Sequence, residues 1–581
     1  MKRNLLILSS LIVAFTLRAD SVPTEFNENT VIQLQRMMTK GEITSEQLTR
    51  YYIARIAALD QSGPNVNSVI ELNPDAIAMA QNADQMRKQG KVLGPLHGIP
   101  VLLKDNIDTG DKMQTSAGSF ALVGTPAQQD STVAANLRAG GAVILGKTNL
   151  SEWANFRSFE SISGWSGRGG QTNNPYGINR NPCGSSAGSG AAASANFVAV
   201  SLGSETDGSI VCPGNANGVA AIKPTVGLVS RAGVVPISHT QDTVGPHGRT
   251  VADAAVALGV IQSRTFDGRD PATGGVPLGW QGTGKTRPTN IPTDYTKFLN
   301  ANGLNGARIG VTRVGLTGFT NVTTPQRVLD AFEAAITEIQ NAGATVIDLD
   351  AQGVNLPVDG NSEFFVLLYD FKGDVANYFA TRVGVPVAGG DLQTAIDFNN
   401  AHADIEMPFF NQDIFDFAET ITLDPNFVDP NFGETYNQAL AAGHNLGVAL
   451  DAALAQYHLD AIVSATDNPA WTTDLLYGDH FVFGTSSYAA PEGYPIVQVP
   501  AGIVDGLPLG ISFFGTAFSE PTLIKLASGF EAVTHVRKQN LPTFAPYTPF
   551  NNIQGTSPTK KSSTSNATRT KQNANQTPHN M

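Results

Sequence analysis

The chain has 581 residues, of which 41% are hydrophobic and 15% charged, a composition typical of a globular protein with a large core. Its 37 Lys and Arg against 50 Asp and Glu give a formal charge of −13. General nucleic-acid binders and anionic-membrane binders need a basic surface, so we expect neither partner. Two cysteines are too few for a disulfide-stapled scaffold. No spacing resembles a metal site, and we expect neither metal nor cofactor.

The first nineteen residues have the pattern of an export signal. Lys2 and Arg3 form a basic start, and an apolar run from Leu5 to Leu17 ends near Ala19. The run is short for a membrane span, although Leu17 makes the cleavage site imperfect and leaves an uncleaved anchor as the alternative. The pattern predicts a signal peptide at 1–19, export to the periplasm or the medium, and no stable membrane span after cleavage.

After the predicted signal peptide, helices and strands are predicted to alternate in the first half of the chain. Thr44 and Gln47 fit a capping box, which predicts a helix whose apolar face carries Leu48, Tyr52, Ile56 and Leu59. Residues 98–104 form a continuous apolar run that ends at Lys104, and this pattern favours a buried strand. A helix over 131–138, a stop at 140–141 and a strand over 142–145 come next.

The second half repeats the helix–strand unit. Val328, Phe332, Ile336 and Ile339 form a helical stripe that ends before Gly343, and a strand over 346–349 follows. Further strands are predicted over 309–312, 461–464, 496–499 and 510–514. Strands interleaved with helices indicate an α/β fold in which helices cover a sheet.

Two stretches depart from this alternation. Residues 355–450 lack strand patterning and predict a helical elaboration, which would form one wall of a substrate pocket. From 551 to 581 the chain has no Asp or Glu and is rich in Ser, Thr, Asn and Gln, which predicts a disordered tail. Residues 20–550 are therefore expected to be the folded domain.

Two clusters rich in serine and glycine carry the chemistry. GSSAGSG begins at Gly184 and contains Ser185 and Ser186, and ETDGSI contains Ser209. A serine nucleophile needs a base, but the nine histidines lie in no recognisable triad context, and His97 and His247 are interpreted as structural. A lysine can replace histidine when burial makes its amine neutral.

Lys104 is the candidate base, because the apolar residues before it favour burial. The alternative is a salt bridge, for which Asp105 and Asp108 are available. Cys183 precedes Ser185 by two residues and Cys212 follows Ser209 by three, so the two cysteines are expected to lie close together if the serines do. Both a disulfide and two buried thiols remain open.

Several segments resemble the signature segments of the amidase signature family. They are LHGIPVLLKDNIDT, GAVILGKTNLSEWA, GSSAGSG, ETDGSIVCPGNANGVAAIKPTVGLVSR, GYPIVQVPAG and GLPLGISFFG, and the resemblance covers roughly residues 30 to 545. It implies a mixed central β-sheet surrounded by α-helices and a Ser-cisSer-Lys triad that acts through an acyl-enzyme.

The resemblance assigns roles to individual positions. Lys104 matches the family lysine, Ser185 the bridging serine with a cis peptide bond, and Ser209 the nucleophile. The oxyanion is expected at the backbone N–H groups of Thr206, Asp207, Gly208 and Ser209. Much of the family has DTGGS where this chain has Glu205-Thr206-Asp207-Gly208-Ser209, a change that leaves every backbone donor in place.

The segment ETDGSIVCP, together with CGSS around Cys183, resembles the corresponding segments of the peptide amidase branch. The implied substrates are C-terminal carboxamides of peptides, from which ammonia is released. A broad aliphatic or aryl amidase is the first alternative. Two weaker alternatives remain. An inactive binding protein on this scaffold is disfavoured by the intact triad, and an ammonia-supplying amidotransferase subunit is disfavoured by the export signal.

Overall fold

A mixed sheet of eleven strands runs through the computed structural model, which describes residues 22–274, 287–317 and 324–548. The strands are β1 Val69–Leu72, β2 Pro100–Lys104, β3 Val143–Thr148, β4 Trp165–Ser166, β5 Gly170–Gln171, β6 Val200–Glu205, β7 Ala220–Lys223, β8 Thr243–Gly248, β9 Arg308–Val311, β10 Thr345–Asp348, β11 Ala461–Ala465, β12 Ile496–Val504 and β13 Leu507–Phe514. β4 and β5 form a separate two-stranded sheet.

The large sheet has the order β1-β3-β2-β6-β8-β7-β12-β13-β11-β9-β10. β2 pairs in parallel with both β3 and β6, and β9 pairs in parallel with β10 and β11. The remaining neighbours are antiparallel. Because β2 and β6 are parallel neighbours, the carboxyl end of β2, where Lys104 lies, is beside the carboxyl end of β6.

Helices surround this sheet. They are α1 Val31–Lys40, α2 Ser45–Arg55, α3 Ala76–Lys88, α4 Thr132–Ala139, α5 Ala187–Ser194, α6 Val211–Ala216, α7 Val251–Ile261, α8 Gln326–Asn341, α9 Gly360–Phe379, α10 Leu392–Ala401, α11 Ala403–Glu406, α12 Asp413–Thr420, α13 Tyr436–Gln456, α14 Glu520–Thr534 and α15 Val536–Gln539. α5 packs on β6, α7 on β7 and β8, and α8 and α14 on β12. The predicted α/β fold with a mixed central sheet surrounded by helices is confirmed.

Local sequence signals explain several of these elements. The predicted capping box of α2 is present, with Thr44 accepting from the backbone of Gln47 and the Gln47 side chain accepting in return. The predicted apolar face is buried over α2 and the π-helical turn at Ile56–Asp60. α4 begins after Ser131, which caps it. α8 buries the four predicted apolar residues.

Residues 355–450, predicted to be helical, hold α9 to α12 and most of α13. Their aromatic side chains form a second hydrophobic cluster beside the main core. This second cluster includes Phe365, Phe371, Phe379 and Phe415. Trp153, from the segment after β3, packs edge-on against Phe379 and Phe415. The cluster therefore joins the helices to the part of the chain that carries the serine segments.

Two predictions fall on residues that the structure does not describe. The signal peptide at 1–19 and the tail at 551–581 lie outside the described residues, and so do both ends of the predicted domain at 20–550. Within the three described ranges, no helix is long and apolar enough to cross a membrane.

Candidate active site

Lys104 lies at the end of β2 with no exposed surface. Its Nζ lies within hydrogen-bond distance of Ser185 Oγ at 2.7 Å, Ser204 Oγ at 3.0 Å and the Ser204 carbonyl at 3.2 Å. Burial lowers the pKa of Lys104 to about 7, against the opposing effect of the Asp242 and Glu205 carboxylates. The amine is therefore largely neutral just above neutral pH and is hydrogen-bonded to a serine.

The two aspartates offered as alternative partners of Lys104 pair elsewhere. Asp105 Oδ2 lies 3.1 Å from Arg168 Nη1, and Asp108 Oδ1 lies 3.2 Å from Arg382 Nη1. Lys104 therefore has no salt bridge with either residue.

Ser185 and Ser186 are both buried but differ in their contacts. The Gly184–Ser185 peptide bond is cis, and Ser185 Oγ contacts Lys104. Ser186 Oγ donates to the Ser204 carbonyl at 2.9 Å and accepts from the Ser204 N–H at 3.1 Å. Only the first serine of the pair contacts the lysine, while the second holds the backbone of β6.

A turn connects β6 to α6 and carries Ser209. Glu205, the last residue of β6, accepts the N–H groups of Ile210 at 2.6 Å and Val211 at 2.9 Å through Oε2. These bonds occupy two amides at the start of α6, a favourable position for a carboxylate. Gly208 adopts a φ of +82°, in the left-handed region that disfavours side chains. The turn is therefore fixed by one buried acid and one glycine.

A second buried acid, Asp242, is hydrogen-bonded to the same turn. Thr206 Oγ1 donates to Asp242 Oδ1 at 2.5 Å, and Asp242 Oδ2 accepts the N–H groups of Ile237 and Ser238 at 2.9 and 3.0 Å. Burial raises the pKa of Asp242 to about 6, although these hydrogen bonds oppose the shift.

A cavity of about 410 Å³ opens above this turn. Thr206, Asp207, Gly208 and Ser209, the four residues whose N–H groups are the predicted oxyanion donors, all line it. Ser209 is 8% exposed, whereas Lys104 and Ser185 are at 0%. The apolar part of the wall contains Phe156, Ile237, Leu367, Trp471 and Phe481. Leu367 comes from α9, so the helical region contributes to the wall.

Cys183 and Cys212 form a disulfide with a Cα–Cα distance of 5.8 Å. Both residues line the cavity. Of the two alternatives that the spacing left open, the structure has the bonded one. The disulfide links the segment before Ser185 to the helix after Ser209.

The two histidines interpreted as structural contact main-chain carbonyls. His97 Nε2 lies 3.0 Å from the Ala83 carbonyl, and His247 Nε2 lies 2.8 Å from the Ile210 carbonyl. Burial lowers the pKa of His247 to about 4, so its ring is neutral at physiological pH.

One group of side chains in the described ranges has its ligand atoms close enough for a metal ion, namely His239, Asp370 and Asp374. Their atoms are already engaged with protein groups. His239 Nδ1 lies 2.9 Å from Asp374 Oδ2, and Asp370 accepts hydroxyl protons from Ser238, Thr240 and Tyr436. We interpret the group as a hydrogen-bond network.

Sequence reasoning missed Ser204, Asp242 and the supporting role of Glu205. Ser204 and Glu205 end β6, after the last apolar residue of the strand, Leu202. Asp242 lies in a loop before β8 with no motif around it. The one available signal was that Glu205 is the first residue of ETDGSI.

Comparisons with known proteins show what the chain is similar to. A family model described as Amidase matches residues 47–524. The structure of native peptide amidase from Stenotrophomonas maltophilia is similar, with a TM-score of 0.78 and 44% identity over 90% of this chain and 100% of that one. A probable amidase from Arabidopsis thaliana is 40% identical over 88% of this chain and 91% of its own length. A glutamyl-tRNA(Gln) amidotransferase subunit from Chloroflexus aurantiacus is 30% identical over 89% and 99%.

These matches span the sheet, the serine segments and the cavity together. They establish hydrolysis of amide C–N bonds as the activity of the chain, in agreement with the resemblance seen in the sequence. The chain belongs to the amidase signature family.

Proposed function

We propose that the protein releases ammonia from the C-terminal carboxamides of peptides, with Ser209 as nucleophile, Ser185 as proton relay and Lys104 as base. The observation that carries the proposal is the 2.7 Å hydrogen bond between Lys104 Nζ and Ser185 Oγ. It joins a buried lysine of lowered pKa to a serine whose segment and Ser209 border the same cavity.

The proton path has two steps. Neutral Lys104 takes the proton of Ser185, and Ser185 takes that of Ser209 as Ser209 Oγ bonds to the carbonyl carbon. The carbonyl oxygen becomes an oxyanion, which the N–H groups of residues 206–209 stabilise. The proton then returns through Ser185 to the amide nitrogen, the C–N bond breaks and ammonia leaves. Water attacks the acyl-enzyme by the same path, and the acid leaves with Ser209 restored.

Two features support a peptide amide over a small amide. The cavity of about 410 Å³ is larger than acetamide requires, and its aromatic and aliphatic wall suits an amino-acid side chain. The solved relative with 44% identity is a peptide amidase. The amidotransferase subunit is 30% identical and gives weaker support for an ammonia-supplying role.

The test compares variants at three serines. Ser209→Ala and Ser185→Ala are expected to lower kcat for ammonia release by at least about 10³-fold, as for removal of members of a catalytic unit. Ser186→Ala is the matched control, since Ser186 bonds to the backbone of β6; it is expected to lower Tm and retain most activity. Full turnover by Ser209→Ala, or a greater loss in Ser186→Ala than in Ser185→Ala, would contradict the assignment.

A panel of substrates tests the substrate class. Amidated dipeptides and tripeptides are expected to give higher kcat/KM than acetamide or benzamide. A preference for either small amide over every peptide amide would favour the broad amidase.

We also propose that residues 1–19 direct export. The Cys183–Cys212 disulfide supports this, because such bonds persist in oxidising compartments. Protein recovered from the periplasm or medium is expected to lack the leader by intact mass and to show no free thiol when denatured without reductant. A retained leader, or two free thiols, would argue against export through an oxidising compartment.

A further inference from the structure

Asp467 is a buried acid that has no role in the proposed triad mechanism. It lies two residues after β11, is fully buried and lines the cavity. Neither carboxylate oxygen has a hydrogen-bond partner among the described residues. Gly484, also in the lining, allows the carboxylate to lie against its backbone, where a Cβ would be 2.5 Å from Asp467 Oδ1. The two carboxylate oxygens of Asp467 therefore lie at the cavity wall without a hydrogen-bond donor among the described residues.

The two other aspartates of the lining are engaged by the protein. Asp479 accepts from the Ser163 N–H, from Asn181 Nδ2 and from Trp471 Nε1 at 3.1 to 3.3 Å. Asp207 accepts from Ser487 Oγ at 2.6 Å and faces the carboxyl of Glu363, whose pKa is raised well above its usual value by burial and by Asp207. Asp207 Oδ1 has no hydrogen-bond partner among the described residues, but Asp467 is the aspartate of this lining in which both oxygens lack one.

The surroundings of Asp467 supply negative charge and no compensating cation. Among the described residues that line the cavity there are three aspartates and no Lys, Arg or His. Burial raises the pKa of Asp467 well above its usual value, and Glu205 and Asp207 add to the effect. A buried carboxylate without a counter-charge is strongly unfavourable and takes up a proton instead. A cation with N–H donors would replace that proton and stabilise the ionised form through a charge-assisted hydrogen bond.

We propose that Asp467 is a specificity-determining residue that binds a positively charged ammonium group of the amide substrate. The proposal rests on the proposed function and names the class of amide that the cavity takes. The ammonium group donates to the two free oxygens of Asp467 while the carboxamide of the same molecule lies at Ser209. The ammonium is either the free α-amino group of an amino-acid amide or the side chain of a basic residue, and the same chemistry serves both.

Three substrates separate these sources. Norleucinamide carries the α-ammonium, N-acetyl-lysinamide carries the side-chain ammonium, and N-acetyl-norleucinamide is the neutral reference. We expect the wild type to give a higher kcat/KM for one of the cationic amides than for the reference. Asp467→Asn, which keeps the shape and removes the charge, is expected to lower that advantage by about 10- to 100-fold, the range for losing a charged hydrogen-bond partner. The loss is expected mainly in KM, with the reference changed by less than about 3-fold.

Asp330→Asn, on the exposed side of α8, controls for the loss of one negative charge and is expected to leave all three amides unchanged. An equal change for all three amides in Asp467→Asn would overturn the proposal while leaving the amidase function intact. A wild type that prefers the neutral reference to both cationic amides would do the same. A folded wild type that releases ammonia from none of them would remove the proposed function and this inference together.

A measurement on the wild type alone guards against a variant that does not fold. n-Butylammonium is expected to inhibit hydrolysis of N-acetyl-norleucinamide competitively, and 1-butanol at equal concentration is expected to inhibit far less. Equal inhibition by the two compounds would overturn the proposal without any substitution.

Discussion

At the scale of single residues, Lys104 shows how burial creates a base. Its Nζ contacts hydroxyl and carbonyl oxygens of Ser185 and Ser204 and forms no ion pair with its neighbours Asp105 and Asp108. An unburied lysine titrates near 10.4. The burial that lowers its pKa to about 7 makes the neutral amine available at physiological pH.

This shift predicts the pH dependence of the enzyme. The neutral amine is the active form, so kcat/KM is expected to fall about tenfold per pH unit below about 7 and to level off above it. Asp242→Asn is expected to move the midpoint to lower pH, because the Asp242 carboxylate raises the pKa of Lys104. Lys104→Arg stays charged and is expected to be inactive throughout. Rate measurements from pH 5 to 10 check these outcomes, and a midpoint near 10 would contradict them.

At the scale of elements, the turn between β6 and α6 depends on backbone conformation. Gly208 has a φ of +82°, and a Cβ there would lie 3.2 Å from Ser486 Oγ. A side chain in this region of φ is disfavoured by about 1 kcal/mol or more. A shift of this residue would move the N–H groups proposed to hold the oxyanion.

Gly208→Ala is therefore expected to lower kcat more than about tenfold, with a modest fall in Tm. Gly41 is the matched control, since it has a φ of +72° at the end of α1 and open space around it. Gly41→Ala is expected to give a similar fall in Tm with unchanged kcat. Equal kcat in the two variants, measured at saturating substrate, would show that the turn does not position the reacting groups.

The elements also show what the sequence can reveal. β2 was predictable because its apolar run is continuous and ends at Lys104. β6 was missed, although Val200 and Leu202 alternate with Ser201 and Gly203 as in a strand. Gly203 allows a close approach, where a Cβ would lie 2.6 Å from Ser186 Oγ. This close packing of the backbone leaves no mark in the sequence, so the contribution of Ser204 to the lysine site was visible only in the structure.

Asp467 illustrates a second limit. The serine segments have local motifs, whereas Asp467 lies more than 250 residues from Ser209 in the chain. Nothing in its neighbourhood marks it as a cavity residue. Its importance depends on the absence of donors around it among the described residues, which is a property of the folded wall.

At the scale of the whole molecule, Arg157 connects the serine-bearing part of the chain to the helical region. Its Nη1 lies 3.1 Å from Glu152 Oε2 and donates to the Glu406 carbonyl, and its guanidinium lies 4.3 Å from the centre of the Phe410 ring. Arg157 is fully buried. The positive charge of Arg157 therefore lies where the serine-bearing part of the chain contacts the helical region.

Arg157→Met is expected to lower the free energy of unfolding by about 3–5 kcal/mol, because it leaves buried Glu152 without a counter-charge. Arg50→Met removes an exposed pair with Glu46 and is expected to have little effect. Thermal and denaturant unfolding of both variants provide the measurement. Equal stability of the two would mean that the buried pair does not stabilise the junction.

The disulfide between Cys183 and Cys212 has a chemical consequence for the cavity wall. Both sulfur-bearing residues border the space in which the amide is expected to bind. While the bond is intact, neither sulfur can react with an electrophile. After reduction, the cavity would hold two thiols beside Ser209, and an amide-shaped alkylating reagent such as chloroacetamide would label them. The redox state of this pair therefore decides whether the cavity offers thiol nucleophiles in addition to Ser209.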